Sequence, residues 1–200
     1  MTTQRTGILL LVSGPSGSGK TTLCRRLADE GEAVYSTSCT TRPARDGERD
    51  GYDYHFLSRE SFEQKVHDGD FLEYAEVHGN FYGTLISEII DHLASGTDVV
   101  MDIDVQGADQ VRECQDSGVR KALVDLFVMP RTEDELRKRL TGRGSDTDDI
   151  IELRMKNALG EISQWQKYRY RLLSETREQD YQQFKSLLIA ERLRVARLTE

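Results

Sequence analysis

A glycine-rich stretch near the N-terminus has the spacing of a phosphate-binding loop. Residues 14–21 read GPSGSGKT and fit the pattern G-x-x-x-x-G-K-[ST]. Backbone N–H groups of such a loop, with the N-terminus of the following helix, form a concave anion site. In this arrangement Lys20 reaches the terminal phosphates of ATP, and the Thr21 hydroxyl ligates the Mg²⁺ that accompanies it. The predicted ATP-binding residues are Gly14, Pro15, Ser16, Gly17, Ser18, Gly19, Lys20, Thr21 and Thr22.

The segments beside this loop fit the same interpretation better than that of a glycine-rich turn that binds nothing. An apolar run ending at Ser13 predicts a buried strand, and residues 22–28 predict an amphipathic helix that ends near Gly31. Strand-like and helical patterns alternate along the chain, which favours an α/β fold with a parallel sheet covered by helices. The predicted core strands are 7–13, 33–36, 98–102, 123–129 and 170–173. Helices are predicted at 86–94 and 108–116, with Gly96 and Gly118 between elements.

Composition excludes several classes of protein. The 200 residues are 37% hydrophobic and 31% charged, typical of a globular chain. A net charge of −8 speaks against nucleic-acid binding, and no apolar stretch approaches the length of a membrane span. Three scattered cysteines indicate reduced thiols and a cytoplasmic location, and the four histidines lack metal-ligand spacing.

An arginine-rich loop follows the second predicted strand and can bind a second anion. Pro43 keeps Arg42 out of helical angles and an Asp-Gly turn follows, so the guanidinium groups of Arg42 and Arg45 can converge on one phosphate. Tyr54 and Tyr82 are candidate hydroxyl donors to the same phosphate. Solvated arginines and tyrosines packed on a sheet face explain these residues equally well.

A charged stretch later in the chain has the features of a lid. A capping box at Thr132 and Glu135 predicts a helix through Leu140, after which two glycines flank Arg143. A cationic segment between glycines suits a moving lid over a triphosphate. An ordinary solvated helix and turn is the alternative.

Several motifs together resemble the nucleotide-binding signature of the guanylate kinases. They lie at residues 38–54, 71–75, 78–84 and 102–107, and the resemblance runs from about residue 7 to residue 197. It implies transfer of the γ-phosphoryl group of ATP to GMP, giving ADP and GDP, by a P-loop nucleoside-monophosphate kinase fold. The implied parts are a core at 1–36, 85–130 and 155–200, a small, mostly β GMP-binding insertion at 37–84, and a helical lid at 131–154.

The resemblance also implies a role for each matching residue. Those that would hold the GMP phosphate are Arg42, Arg45, Tyr54 and Tyr82, and those that would read the guanine are Ser38, Glu73, Thr84 and Asp104. Asp102 would lie near the Mg²⁺ and its waters, and Arg139, Arg143 and Arg154 would close over the phosphates. A carboxylate such as Glu73 can accept from both the N1–H and the amine of guanine, which adenine cannot match. An exposed strand carboxylate is the alternative interpretation of Glu73.

The C-terminal third departs from the family pattern. The family has an asparagine and two aspartates where this chain has Ser174, Glu175 and Thr176. The resemblance therefore does not assign the contacts of the adenine base. Thr176 with Gln179 predicts the cap of a final helix. The apolar stripe of this helix favours packing in the core over a dimer surface, and the sequence does not decide whether the chain forms a homo-oligomer. The stripe consists of Tyr181, Phe184, Leu187, Leu188 and Leu193.

Two other functions are compatible with parts of this pattern. One is a P-loop kinase for another small phosphate acceptor, which would lack the combination of Arg42 and Arg45 with Glu73 and Thr84. The other is a guanylate-kinase-like module that binds phosphorylated peptides without catalysis. Such modules usually have a degraded phosphate loop, whereas this chain keeps Lys20 and the residues around it.

Overall fold

The structure is a computed structural model that describes residues 4–77, 79–141 and 148–199. Its strands are β1 Gln4–Arg5, β2 Leu9–Ser13, β3 Val34–Tyr35, β4 Cys39–Thr40, β5 His55–Phe56, β6 Phe71–Val77, β7 Asn80–Leu85, β8 Val99–Asp102, β9 Leu123–Pro130, β10 Tyr170–Ser174 and β11 Leu198–Thr199. Its α-helices are α1 Lys20–Asp29, α2 Arg59–Asp68, α3 Ser87–Ala94, α4 Val105–Glu113, α5 Ser117–Ala122, α6 Glu133–Thr141, α7 Asp148–Ile162 and α8 Arg177–Arg192. None of the described helices is both long and apolar enough to cross a membrane.

Five parallel strands form a central sheet in the order β10-β9-β2-β8-β3. All five residues of β2 are buried, as expected for a parallel strand covered on both faces. Leu10 and Val12 pack with residues of α1 and α8, whereas Leu9 and Leu11 pack with residues of α3, α4 and α5. The predicted parallel sheet covered by helices is therefore confirmed, and each of the five predicted core strands contributes to it.

The carboxyl ends of these strands bring polar residues to one edge of the sheet. β2 ends at Ser13 and continues into the glycine-rich loop, β8 ends at Asp102, and β10 ends at Ser174. The pairing register sets Asp102 opposite Val12, one residue before the end of β2. Open parallel sheets bind ligands in the crevice outside these carboxyl ends, so this edge is where a nucleotide site is expected.

A second sheet of four strands has the order β5-β4-β7-β6 and mixes parallel with antiparallel pairs. In β6 the register shifts between Phe71 and Glu73, and the successive residues Leu72 and Glu73 are both only 6% exposed. Glu73 then lies directly opposite Thr84 of β7. Because an irregularity of this kind can re-aim a side chain, it accounts for a glutamate turned into the protein.

The helices α6 and α7 pack together around an apolar cluster of their own. The cluster consists of Leu136, Leu140, Ile151, Met155 and Ala158. Half of the predicted capping box is present: the hydroxyl of Thr132 accepts from the backbone N–H of Glu135 at 3.2 Å, but the Glu135 carboxylate accepts from the backbone N–H of Arg131 at 3.4 Å rather than from that of Thr132. α6 also lies against the glycine-rich loop: a Cβ built on Gly17 would come within 3.6 Å of Leu140 and 3.7 Å of Arg139.

One helix prediction is wrong in its bounds. The helix predicted at 108–116 is α4, which begins at Val105 and ends at Glu113, and a separate helix, α5, begins at Ser117. The carboxylate of Asp104 accepts from the backbone N–H of Gly107 at 2.8 Å, which caps α4 three residues before the predicted start. Gly118, predicted to lie between elements, belongs to α5.

The final helix keeps its predicted cap and most of its predicted stripe. The hydroxyl of Thr176 accepts from the backbone N–H of Gln179 at 3.3 Å. The buried members of the stripe are Tyr181, Phe184 and Leu188, which belong to the central core. Leu193 is an error, because it follows the last turn of α8 and is 76% exposed.

Candidate active site

The glycine-rich loop forms a cradle between β2 and α1. Gly14, Gly17 and Gly19 have φ angles of 145°, 82° and 96°, which favour glycine over any other residue. A side chain at Gly14 would also place its Cβ 2.0 Å from the carbonyl oxygen of Val128. The hydroxyl of Ser18 is buried in this loop and has no hydrogen-bond partner in the described part of the chain. A phosphate oxygen fits such a site, because it supplies the missing acceptor.

Lys20 begins α1, and its ammonium group is held inside the loop. The Nζ atom donates to the carbonyl oxygens of Gly14 at 2.6 Å and Pro15 at 3.1 Å. Burial lowers the pKa of this ammonium group, while the carboxylates of Asp102 and Glu161 act in the opposite direction. Phosphate oxygens can replace the two carbonyl acceptors, so this position supports the predicted role of Lys20.

Asp102 connects the loop to the neighbouring strands. Its Oδ2 accepts from the Thr21 hydroxyl at 2.6 Å, and its Oδ1 accepts from the Tyr35 hydroxyl at 2.5 Å. No group of three or more His, Cys, Asp or Glu residues within the described ranges is arranged to hold a metal. Mg²⁺ needs no such group, because it is usually held by one or two protein oxygens together with substrate phosphates and water. The oxygens of Thr21 and Asp102 therefore fit a Mg²⁺ ion that arrives with a nucleotide.

A cavity of about 530 Å³ extends from this loop to the beginning of α8. Its lining residues are Gly17, Ser18, Gly19, Lys20, Thr21, Thr22 and Leu23 of the loop and α1, then Arg26, Ser174, Glu175, Arg177, Asp180 and Tyr181, with Arg139 between the loop and Ser174. We call it the donor cavity. Its loop end has the chemistry of a triphosphate site, and its far end is the place left for a base.

A second cavity of about 340 Å³ is bounded by Asp102 and by residues of the four-stranded sheet. Its lining residues are Ser38, Tyr54, Glu73, Ala75, Val77, Tyr82, Gly83, Asp102, Ile103 and Asp104. We call it the acceptor cavity. Five of the residues predicted to bind GMP line it, and a sixth, Thr84, lies behind Ser38 with 3.2 Å between the two hydroxyl oxygens.

The carboxylate of Glu73 is buried against α4, so the interpretation of Glu73 as an exposed strand carboxylate is wrong. A Cβ built on Gly107 would lie 2.9 Å from Glu73 Oε2, so the absence of a side chain there makes room for the carboxylate. Burial raises the pKa of Glu73 to about 7, and the nearby carboxylate of Asp104 adds to this. Hydrogen bonds from the hydroxyl and backbone N–H of Thr84 act in the opposite direction.

Arg42 lies beside the acceptor cavity, next to the two tyrosines predicted to act with it. Its guanidinium carbon is 5.4 Å from the centre of the Tyr54 ring, and the nearby Glu48 and Tyr82 raise its pKa. The same guanidinium donates to Glu48 at 2.8 Å, and this ion pair lowers the pKa of Glu48. Arg45 donates its backbone N–H to Glu48, but its side chain is exposed and does not line the cavity. Convergence of Arg42 and Arg45 on one phosphate stays a prediction.

The three predicted lid arginines have different positions. Arg139 reaches the donor cavity from α6, where its guanidinium donates to Ser174 at 2.9 Å and to the backbone oxygen of Ser18 at 3.4 Å. Arg154 is half-buried on α7. Arg143 lies outside the described residues. The structure therefore places Arg139 at the loop.

Comparisons with known proteins match nearly the whole chain. A family model described as guanylate kinase matches residues 6–191. A guanylate kinase of Geobacter metallireducens is 42% identical over 198 residues, covering 98% of this chain and 95% of that relative. A guanylate kinase of Clostridium tetani is 40% identical over 194 residues, covering 97% and 91%. The crystal structure of guanylate kinase from Anaplasma phagocytophilum matches with a TM-score of 0.80 and 32% identity, covering 100% of this chain and 93% of that one.

Proposed function

This chain belongs to the guanylate kinase family, and we propose that it transfers the γ-phosphoryl group of ATP to GMP where its two cavities meet. One observation carries the assignment of the two cavities. Asp102 lines the acceptor cavity, and its carboxylate binds Thr21 of the donor cavity at 2.6 Å. Two nucleotides bound in these cavities would therefore meet with their phosphates at a single carboxylate.

The acceptor cavity has the polar groups that guanine requires. Guanine presents an N1–H and an exocyclic amine side by side, and the Glu73 carboxylate can accept from both. The Ser38 hydroxyl, which lines the cavity 3.2 Å from the Thr84 hydroxyl, can turn to donate to the guanine O6, while Thr84 donates to Glu73. Asp104 lines the same cavity, but one of its oxygens already caps α4. A site that offers these partners leaves them unpaired when adenine binds, which costs far more than the loss of contact area.

Replacing Gly107 with alanine tests the placement of Glu73. The new Cβ would lie 2.9 Å from Glu73 Oε2 and must displace the carboxylate. We expect the KM for GMP to rise about 10- to 100-fold, as for a misplaced binding group, with little change in the KM for ATP. Gly160→Ala in α7 is the matched control, because a Cβ there meets no atom within 4 Å. An unchanged KM for GMP in Gly107→Ala would mean that Glu73 does not hold the base.

The reaction needs no general base from the protein. A phosphate monoester has a second pKa near 6, so the attacking oxygen of GMP is already ionised at neutral pH. Catalysis then consists of aligning two polyanions and neutralising their charge. Lys20 and Arg42 supply positive groups on the two sides of Asp102, and Tyr54 and Tyr82 can donate to the GMP phosphate.

The donor side has the groups that a nucleoside triphosphate requires. Backbone N–H groups of residues 16–21 would hold the phosphates together with the Ser18 hydroxyl, which has no partner among the described residues, and Thr21 and Asp102 would hold Mg²⁺. A bound Mg²⁺ would neutralise phosphate charge and fix the geometry of the β- and γ-phosphates. Arg139, already at the loop, can turn from Ser174 to the phosphates.

We also propose roles for two segments of the chain and for Arg45. Residues 37–84 would act as the GMP-binding insertion, and residues 131–154 would act as the lid that brings Arg143 and Arg154 to the phosphates. Arg45 would turn toward the GMP phosphate when it binds. A cytoplasmic location accords with the three free cysteines and with the absence of a membrane-spanning helix among the described residues.

A parallel assay of nucleoside monophosphates tests the proposed function. ADP release from ATP and Mg²⁺ is measured with GMP, IMP, AMP, CMP and UMP. We expect GMP to exceed AMP by at least about two orders of magnitude in kcat/KM, as in sites that require matched hydrogen bonds. IMP, which lacks only the exocyclic amine, should lie between them. Comparable turnover of AMP would contradict the role of Glu73, and phosphopeptide binding without ADP release would favour the non-catalytic module.

A further inference from the structure

We propose that the donor cavity does not discriminate between purine bases, so that GTP serves as phosphoryl donor nearly as well as ATP. The inference rests on the proposed function, because it concerns the donor of that reaction. With GTP, the bond between the γ-phosphorus and the β,γ-bridging oxygen breaks, and a bond to a phosphate oxygen of GMP forms. The products are two molecules of GDP, and no further reactant is needed.

Ser174 lies at the far end of the donor cavity, and its hydroxyl proton is already used. It donates to Asp180 Oδ2 at 2.6 Å, and the other oxygen of Asp180 accepts from the backbone N–H of Glu175 at 2.7 Å. Both Ser174 and Asp180 are buried, so this charge-assisted hydrogen bond is strong. Ser174 can therefore only accept from a base, and adenine and guanine both carry N–H groups.

Most of the other charged side chains at this end are also paired, and the exposed Arg177 can donate to N7, an acceptor that adenine and guanine share. Arg139 donates to Ser174 and to Glu135, and the carboxylate of Glu175 forms an ion pair with Arg131. Arg26 is paired with Glu178 through a 2.7 Å contact. Among the described residues that line this end, these pairings leave no side-chain amide or unpaired carboxylate that could distinguish the edge of one purine from that of another.

This end of the donor cavity offers contacts with the face of a base, and every base has such a face. The guanidinium carbon of Arg26 lies 3.8 Å from the centre of the buried Tyr181 ring, so the face that a base can meet is that of Arg26, and Arg177 lines the cavity beside it. Contacts of arginine and aromatic side chains with the face of a base are tolerant of its identity. Donor affinity would then come from the triphosphate at the loop and from these face contacts. The acceptor cavity is the opposite case, because Glu73 and Ser38 line it and would bind the edge of the base.

A comparison of donors tests this inference and separates it from the proposed function. Radiolabelled GMP is converted to labelled GDP with ATP or GTP at saturating GMP, so that one labelled product is counted per transfer whichever donor is used. We expect the ratio of kcat/KM for ATP to that for GTP to stay below about 10, the range of sites without hydrogen-bond readout. A larger ratio overturns the inference while leaving the proposed function intact. Absence of labelled GDP with either donor would overturn the proposed function itself.

GTP bound in the acceptor cavity is distinguished from GTP bound in the donor cavity by varying the concentration of GMP. Inhibition by GTP that disappears when the GMP concentration is raised comes from GTP bound in the acceptor cavity, and the ratio is measured at a GMP concentration that removes it.

A pair of variants then tests Ser174 and Asp180 directly. The double variant Ser174→Asn with Asp180→Ala supplies an amide that Asp180 no longer occupies, and Asp180→Ala alone is its control. Because an amide can bind the N6 and N7 atoms of adenine together, we expect the double variant to raise the ATP-to-GTP ratio about tenfold over the control. An equal ratio in the two variants would contradict the assignment of this end to the base.

Discussion

Replacement of Glu73 by glutamine is expected to lower kcat/KM for GMP by about two to three orders of magnitude, while AMP turnover changes little. The amide keeps the size of the side chain but offers one acceptor in place of two, and its NH₂ group opposes a donor of the guanine. The measurement is ADP release with GMP and with AMP. Glu76→Gln is the matched control, because Glu76 lies on the same strand with its side chain exposed. Retention of the GMP preference in Glu73→Gln would contradict guanine reading by this residue.

The same substitution is expected to stabilise the protein above neutral pH. Glu73 has a pKa of about 7 in the fold against an ordinary value of 4.5, so the folded protein binds the proton more tightly than the unfolded chain. Glu73 therefore reduces the free energy of unfolding progressively as pH rises from about 4.5 to about 7, and the loss persists above that. Glu73→Gln should raise this free energy by about 1 to 3 kcal/mol at pH 8 and leave it nearly unchanged at pH 4. Denaturant unfolding at the two pH values measures it, and equal effects at both would show that Glu73 is not held in a desolvated site.

Replacement of Lys20 by methionine is expected to lower kcat by about three orders of magnitude or more, because a positive group placed at the transferring phosphoryl group is lost. The fold should persist, since an apolar side chain replaces an ammonium group whose pKa is already lowered by burial. GMP binding should also persist, because Lys20 does not line the acceptor cavity. Lys121→Ala in α5, with an exposed side chain, is the control. Turnover within about tenfold of the unchanged protein would remove Lys20 from the transfer step.

The phosphate loop could be predicted from the sequence because its chemistry is local. The order of glycines, Lys20 and Thr21 sets the backbone shape and the following helix without help from distant residues. The central strands could be predicted for a similar reason, since parallel strands buried on both faces are continuous apolar runs. The position of Asp102 could be predicted as well, because it ends such a run, whereas its role near Mg²⁺ came from the resemblance to the guanylate kinases.

The surroundings of Glu73 could not be predicted by periodicity. Alternation along residues 71–77 places Leu72 and Glu73 on opposite faces of a strand, and only the register shift buries both. The resemblance to the guanylate kinases supplied the role of Glu73, whereas its raised pKa and its contact with Gly107 arise from helix α4, which is distant in sequence. Tyr35, which donates to Asp102, was missed, and its position at the end of a predicted strand was the one available signal.

The adenine end illustrates a different limit. The sequence showed that Ser174 departs from the family pattern, but not that Asp180, six residues later, takes the proton of its hydroxyl. That contact depends on how the turn after β10 leads into α8, which local propensity does not determine. Whether Arg45 joins Arg42 is likewise set by loop geometry, and it is expected only when a phosphate binds.

The central claim is that the two cavities hold two nucleotides with their phosphates facing each other across Asp102. A compound in which adenosine and guanosine are joined through a chain of phosphates tests this directly. We predict that one molecule of this compound binds per chain, that it competes with both ATP and GMP, and that it binds more tightly than either nucleotide alone. Competition with only one of the two substrates, or binding of two molecules per chain, would contradict it.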